Sequence, residues 1–189
     1  RSYFPVIMLL PLVWFYVESL RLQTDLQAFW EANRPLECLA LGVSLLGLGI
    51  RVLAVGYSAD HTSGRNTSAG QIADSINQTG LYACLRHPLY LGNYFMWIGI
   101  VMFTFNIWFI LLFSAIFWLY YERIMFAEER FLERKFGQPY VDWSNSVPAF
   151  WPSYKRYIPT EIPFSMKTIL RREYSGVTAT IISFVFVDF

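Results

Sequence analysis

Six side chains able to do chemistry fall into two short stretches of this chain. The first, TGLYACLRHPLYLGNY over residues 79–94, sets Tyr82, Arg86, His87 and Tyr90 beside Pro88 and Gly92. The second, YERIMFAEERFLERKFG over residues 121–137, carries adjacent carboxylates at Glu128 and Glu129. Cationic donors and acidic acceptors buried together either satisfy one another or hold a polar ligand. The residues alone leave three readings open: an interfacial anchor of Arg and Tyr, an ion pair easing charge burial, or a binding site. Metal chemistry is the weakest alternative, because His61 and His87 lie far apart and no HExxH or Cys–His spacing exists. Serine or cysteine hydrolysis lacks its nucleophile elbow and paired base.

Composition puts these residues in or at a membrane. The 189 residues are 55% hydrophobic and 19% aromatic, with only 15% charged. A soluble domain carries about 25% charged residues, so too little polar surface is available to coat a globule. A net charge of +1 leaves no basic excess for phosphates and argues against a nucleic-acid partner. Cys38 and Cys84 are too few for a disulfide framework or a Cys-based zinc site, and Cys84 reads as a small buried thiol. With no initiator Met and an end at Phe189 inside an apolar run, the chain reads as trimmed at one or both ends. Arg1 and the run after it mimic a signal peptide, but no small-residue cleavage site follows and further apolar runs favour a multi-pass protein.

The elements that position the two stretches are helical. Apolar runs at 3–20, 36–57, 89–105, 107–121 and 174–189 approach the ~20 residues that span hydrocarbon. They predict an all-α, multi-pass fold of about five spans, one membrane-embedded domain over residues 1–189. Pro11 predicts a kink in the first run. Residues 23–34 read as a polar connector, and Pro35 opens the second run. That run offers Gly42, Ser44, Gly47 and Gly49 for close helix approach, and Arg51 placed to snorkel. Residues 58–78 form a polar loop, either a flap or a solvated connector, with a turn at 64–66 and a short helix over 69–76. Asn106 predicts a tight turn, so the third and fourth runs make an antiparallel hairpin that brings Tyr90 and Glu128 to one depth. The fourth helix continues past Tyr121 with Ile124, Phe131 and Leu132 near one face, until Gly137 and Pro139 stop it. Residues 140–163, aromatic and proline-rich, suit a segment along the interface, and 164–189 form a C-terminal amphipathic or apolar helix. If every run crosses, thirteen of the fifteen lysines and arginines share one side with both stretches, and only Arg21 and Arg34 oppose them. That asymmetry makes the shared side cytosolic.

TGLYACLRHPLYLGNYFMW followed by an EExxLxxxFGxxY tail resembles the integral-membrane methyltransferases of the isoprenylcysteine carboxyl methyltransferase type, whose plan phospholipid methyltransferases share. The resemblance covers roughly residues 74–143, and residues 79–143 form its motif core. Glu128, Glu129, Leu132, Phe136, Gly137 and Tyr140 fit the ending. Membrane sterol reductases carry a similar GxYxxxRHPxYxG segment, without the double glutamate before FGxxY. The resemblance implies S-adenosylmethionine at the cytosolic helix ends and the C-terminal helix and loop, against Tyr82, His87, Pro88, Leu89, Tyr90 and Glu128. Further backbone contacts are implied from Asp74, Ser75, Ile76 and Asn77. A carboxylate such as Glu128 suits the cofactor's ammonium or ribose hydroxyls, and aromatic faces suit its sulfonium and adenine. Pro88 and Gly92 fix the helix start and admit close backbone approach.

Arg86, Glu129 and Arg123 are the candidate catalytic residues, and no metal is implied. The isoprenylcysteine enzymes place an arginine about one turn before the double glutamate, to hold the acceptor carboxylate. Ile124 stands there in this chain, and Arg123, one residue earlier, is rotated by ~100°. The implied reaction is methyl transfer to a lipid-like or prenylated acceptor entering from the bilayer, among membrane lipids, with carboxyl O-methylation favoured. Phospholipid N-methylation and NADPH-dependent reduction on the same scaffold are the alternatives. Short loops fit a prokaryotic inner membrane.

Overall fold

The computed structural model describes residues 4–22, 26–58, 66–67 and 70–188. Helices stand at all five apolar runs: α1 (Phe4–Arg21), α2 (Leu26–Gly56), α4 (Pro88–Met102), α5 (Ile107–Phe136) and α7 (Met166–Asp188). Between them lie two-residue strands β1 (Asn66–Thr67) and β2 (Gly70–Gln71), the short α3 (Leu81–Cys84), α6 (Gln138–Ser146) and a 3-10 turn at Tyr154–Arg156. The architecture is all-helical apart from that minimal antiparallel strand pair. Among the described residues, two helical segments, Glu31–Gly56 and Ile107–Phe136, are long and apolar enough to cross a membrane, while α4 is apolar but shorter. Leu39, Leu45 and Leu46 on α2, and Trp108, Leu111 and Leu119 on α5, are exposed. That much apolar surface fits a lipid environment better than water.

The secondary structure of two stretches, 26–35 and 69–76, differs from expectation. The polar connector is helical from Leu26, and Pro35 lies inside α2 instead of opening it. Leu26 to Arg34 is rich in good helix formers, and the Asn33 side chain donates to the Phe29 carbonyl at 2.8 Å within that turn. The expected helix over 69–76 is absent: Gly70–Gln71 pairs with Asn66–Thr67, and residues 72–78 are irregular. Gly70, Asp74 and Ser75 favour turns over helix. The turn at 64–66 and His61 fall largely or wholly outside the described residues.

Helices α2 and α4 pack through a stripe of small residues. Gly47 and Gly99 are the tightest points. A Cβ at Gly47 would sit 2.5 Å from the Met96 nitrogen and 2.6 Å from the Gly92 oxygen, and one at Gly99 would sit 2.5 Å from the Ala40 oxygen. The buried Ser44 hydroxyl donates to the Met96 carbonyl at 3.1 Å. Gly42 and Gly49, expected to help, face open space. Because the obstruction at Gly47 is backbone, Gly47→Ala is expected to push the helices apart and destabilise the protein by about 1–3 kcal/mol. A lowered melting temperature in detergent checks this, with Gly49→Ala, whose Cβ meets nothing, as the control that carries only the helix-propensity gain.

The α4–α5 hairpin forms as predicted. Asn106 caps α5, its side-chain oxygen accepting from the Phe109 N–H at 3.1 Å. From there Phe109, Phe113, Phe117, Tyr121 and Met125 recur every four residues as a buried stripe against Ile98, Ile100, Val101 and Leu12. The stripe runs on into Glu128 and Leu132, so a carboxylate occupies a core position. The expected face included Leu132, which is buried, while Ile124 and Phe131 are only half-buried. Gly137, at φ 62°, ends α5, a conformation that favours glycine. Pro139 instead opens α6, where its missing N–H is harmless.

Candidate functional site

The adjacent carboxylates at the end of the α5 stripe meet different partners on the first turn of α4. The Tyr90 hydroxyl donates to Glu128 Oε1 at 2.7 Å. Glu129 Oε1 lies 2.7 Å from His87 Nε2 and 3.4 Å from Arg86 Nη1. Glu128 is 7% exposed, whereas the Glu129 side chain is 26% exposed at the edge of the cluster. The Tyr90 ring lies between the rings of His87, at 5.8 Å, and Tyr121, at 5.1 Å. His87 also faces Phe150 at 6.3 Å. Two sequence stretches 38 residues apart therefore close into one polar cluster with aromatic walls.

Backbone geometry explains why this turn can be held so. Pro88 occupies the first turn of α4 and is buried, with His87 as the residue before it. Residues 148–158, expected to lie along the interface, act as a strap behind the motif. Arg86 N–H donates to Pro148 at 2.9 Å, Ser153 N–H to Cys84 at 3.0 Å, and Gly80 N–H to Ile158 at 2.8 Å. Cys84 is fully buried, as expected of a structural thiol.

The remaining expected residues separate into those the fold brings together and those it does not. Tyr82, on α3, lies in the electrostatic field of Glu128, Arg51, Arg172 and Glu173; burial, then the Glu128 charge, hold its phenol above the ordinary value of 10.0. Burial, then the Glu129 charge, likewise raise Tyr140. Both phenols are thus neutral hydrogen-bond donors at physiological pH. Ile76 packs with Ala73, Leu132 and Tyr140, one turn beyond Glu128. Asn77 is buried and braces the loop, donating to Ser58 Oγ at 3.4 Å and accepting from Thr79 N–H at 3.4 Å. Asp74 and Ser75 are exposed, and Leu89 is half-buried with its carbonyl turned towards Arg51. Arg123 is exposed on the outer face of α5 and does not join the cluster. That is the consequence of its one-residue offset on the helix.

Two polar residues that carry no signal in the motifs, Glu173 and Asn93, meet a third whose role differs from expectation. Arg51, expected to snorkel, instead pairs with Glu173 of α7, Nε to Oε2 at 2.5 Å and Nη2 to Oε1 at 2.7 Å, and also meets Asn93. The signal was available: an arginine inside an apolar helix calls for a partner.

The cluster's chemistry suits a zwitterionic, partly aromatic ligand. Glu128 supplies negative charge for an ammonium or a sulfonium, Glu129 is already engaged by His87 and Arg86, and the tyrosine and histidine rings supply stacking faces. The buried Arg86 Nε–H has no protein partner among the described residues, while the side chain as a whole keeps 21% exposure. A cavity of about 220 Å³ borders Glu129, with Phe126, Tyr140 and Val141 on its walls, and a separate one of about 430 Å³ lies between Gln78, Ala83, Asp142, Trp143 and Ile158. The Trp143 indole N–H, on that wall, is the other buried donor without a partner among the described residues. No group of metal-ligating side chains forms among the described residues.

Comparison with known proteins places this geometry in context. The sequence model of the phospholipid methyltransferase family matches residues 38–139. The protein-S-isoprenylcysteine O-methyltransferase of Schizosaccharomyces pombe is 34% identical over 119 residues, 60% of this chain and 48% of its own. That of Saccharomyces cerevisiae is 29% identical over 126 residues, 65% of this chain and 52% of its own. The nickel-cobalt-cadmium resistance protein NccN of Alcaligenes xylosoxydans xylosoxydans is 29% identical over 112 residues, 59% and 49% of the two chains. The chain spans about half the length of the curated relatives it matches. The family match takes in both halves of the cluster, from Tyr82 to Glu129, and stops before α7.

Proposed function

Because the chain belongs to the phospholipid methyltransferase family, we propose that it transfers a methyl group from S-adenosylmethionine to a lipid-like or prenylated acceptor at a membrane. The observation that carries this reading is the closure of both motif halves through Tyr90–Glu128 and His87–Glu129. S-adenosylmethionine supplies, when bound, an electrophilic methyl group on sulfur. Glu128, Tyr90 and Tyr82, with His87, Pro88 and Leu89, are the residues proposed to hold it, with further backbone contacts proposed from the Asp74 to Asn77 segment. Arg86, carrying an unpartnered buried N–H, is proposed to receive the acceptor's anionic group in the place of the outward Arg123. Glu129 holds His87 and Arg86 in register for that task. A carboxylate acceptor has no proton to lose, so the chain's contribution is positioning and exclusion of water. Carboxyl O-methylation is favoured by the isoprenylcysteine relatives, and the family description keeps phospholipid N-methylation as the second reading. The glutamate pair bound to His87 and Tyr90 favours methyl transfer over nicotinamide chemistry.

The same proposal sets all five apolar helices across the bilayer as one domain, with the polar loop 58–78, the cluster and the C-terminal α7 start on the cytosolic side. The lysine and arginine asymmetry supports that side, and the short loops support a prokaryotic inner membrane. Isothermal titration of the detergent-solubilised protein is expected to show binding of both S-adenosylmethionine and S-adenosylhomocysteine. A folded sample that takes up neither defeats the proposal, and NADPH binding in their place transfers it to the reductases. Labelled methyl appearing on a prenylcysteine, or on an aminophospholipid, separates the two acceptor classes.

A further inference from the structure

We infer that α7, beyond the family match, is a working part of the site: Glu173 holds Arg51 as a positioning residue that fixes the first turn of α4, and with it Tyr90 and His87. Glu173 is 2% exposed, and both its oxygens are taken by the Arg51 fork. The remaining arm of that guanidinium, Nη1, reaches Asn93 Oδ1 and, at 3.5 Å, the Leu89 carbonyl. Leu89 directly precedes Tyr90, and Asn93 lies about one turn beyond Leu89, so the contact brackets the residue that donates to Glu128. A guanidinium engaged on all three nitrogens is a clamp and not an anion site.

Gly92 lets this clamp exist. A Cβ there would lie 2.6 Å from Arg51 Cγ, so the arginine stem passes over α4 only because the motif residue is glycine. The α7 start is tied down independently, with Ser165 N–H donating to Gly56 at 3.0 Å and Phe164 covering Gly56. An ion pair buried between helices costs desolvation of two charges, and removing either partner strands the other, so the pair ties α2 and α7 together. The clamp also lies beside Tyr82, whose phenol feels Arg51 and Glu173 together with Glu128. The connection therefore runs from α7 through α2 to α4 and ends on the α5 carboxylates.

The ligand-binding part of this inference rests on the proposed function; the positional part does not. The test uses the full chain in detergent with 3-fluorotyrosine at position 90, read by fluorine NMR without ligand and then titrated with S-adenosylmethionine. Glu173→Gln keeps the shape and removes the charge, and Arg51→Lys keeps the charge and removes the fork. Each is expected to move the Tyr90 resonance in the unliganded protein and to weaken S-adenosylmethionine binding about tenfold. Combining Glu173→Gln with Tyr90→Phe is expected to cost less than the product of the single losses. Asn93→Ala, which strands no carboxylate, supplies the same readout should a charge variant fail to fold. An unmoved resonance with parental affinity in a folded variant, or losses that simply multiply, overturns the inference. A moved resonance in a protein whose parent binds no S-adenosylmethionine upholds the positional role and removes the cofactor reading alone.

Discussion

Glu128→Ala is expected to weaken S-adenosylmethionine binding at least tenfold while the protein still folds, because the charge-assisted contact proposed for the cofactor is lost. Glu128 holds a core position on the α5 stripe, between Met125 and Leu132, where every other buried residue is apolar or aromatic. Burying a carboxylate there is unfavourable unless the charge is used. Its removal leaves the Tyr90 hydroxyl without its 2.7 Å acceptor, at about 1–3 kcal/mol, but also relieves the buried charge. The two effects oppose each other, so the melting temperature moves little while affinity collapses. His87→Ala is expected to follow the same pattern, since it leaves the His87 side of Glu129 open. Titration calorimetry together with a thermal melt decides the matter. A variant that melts early yet binds normally gives Glu128 a structural role only.

Legibility in the sequence followed the range of the interaction. The hairpin was readable because Asn106 is local to both of its helices, and equal depth for Tyr90 and Glu128 followed from counting residues away from that turn. The glycines were half readable: composition marks Gly42, Gly47 and Gly49 alike, but only the helix phase set by α4 selects Gly47. Arg51 is ambiguous in the sequence because an isolated arginine near a helix end has two solutions, snorkelling or pairing. Its partner lies 122 residues away. Two arginines directly before Glu173 also give that acid obvious local partners, which hides its distant one. The strap at 148–158 works through backbone hydrogen bonds to Gly80, Cys84 and Arg86, and such bonds leave no side-chain signature. The connector before Pro35 is the opposite case: its local polarity suggests a loop, although the residues themselves favour helix.

Glu129→Gln separates the two jobs that adjacent acids can do. It is expected to lower kcat by about 10–100-fold while lowering KM for an anionic acceptor. Glutamine keeps the size of Glu129 and still meets the His87 ring, but it removes the charge that lies 3.4 Å from Arg86 Nη1 and 2.7 Å from His87 Nε2. Arg86, already carrying one unpartnered N–H, becomes an uncompensated cation and should attract the acceptor's anionic group more strongly. Tighter ground-state binding does not speed transfer, because only interactions that strengthen in the transition state do. The loss of a fixed Arg86 and His87 geometry therefore appears in kcat. The side chain is 26% exposed, so folding should be little affected and the kinetic split should be clean. Raising the salt concentration should shrink the KM effect, as screening weakens the liberated arginine. If instead the variant binds S-adenosylmethionine more weakly and leaves the acceptor KM unchanged, then both acids face the cofactor, and Arg86 loses its claim to the acceptor.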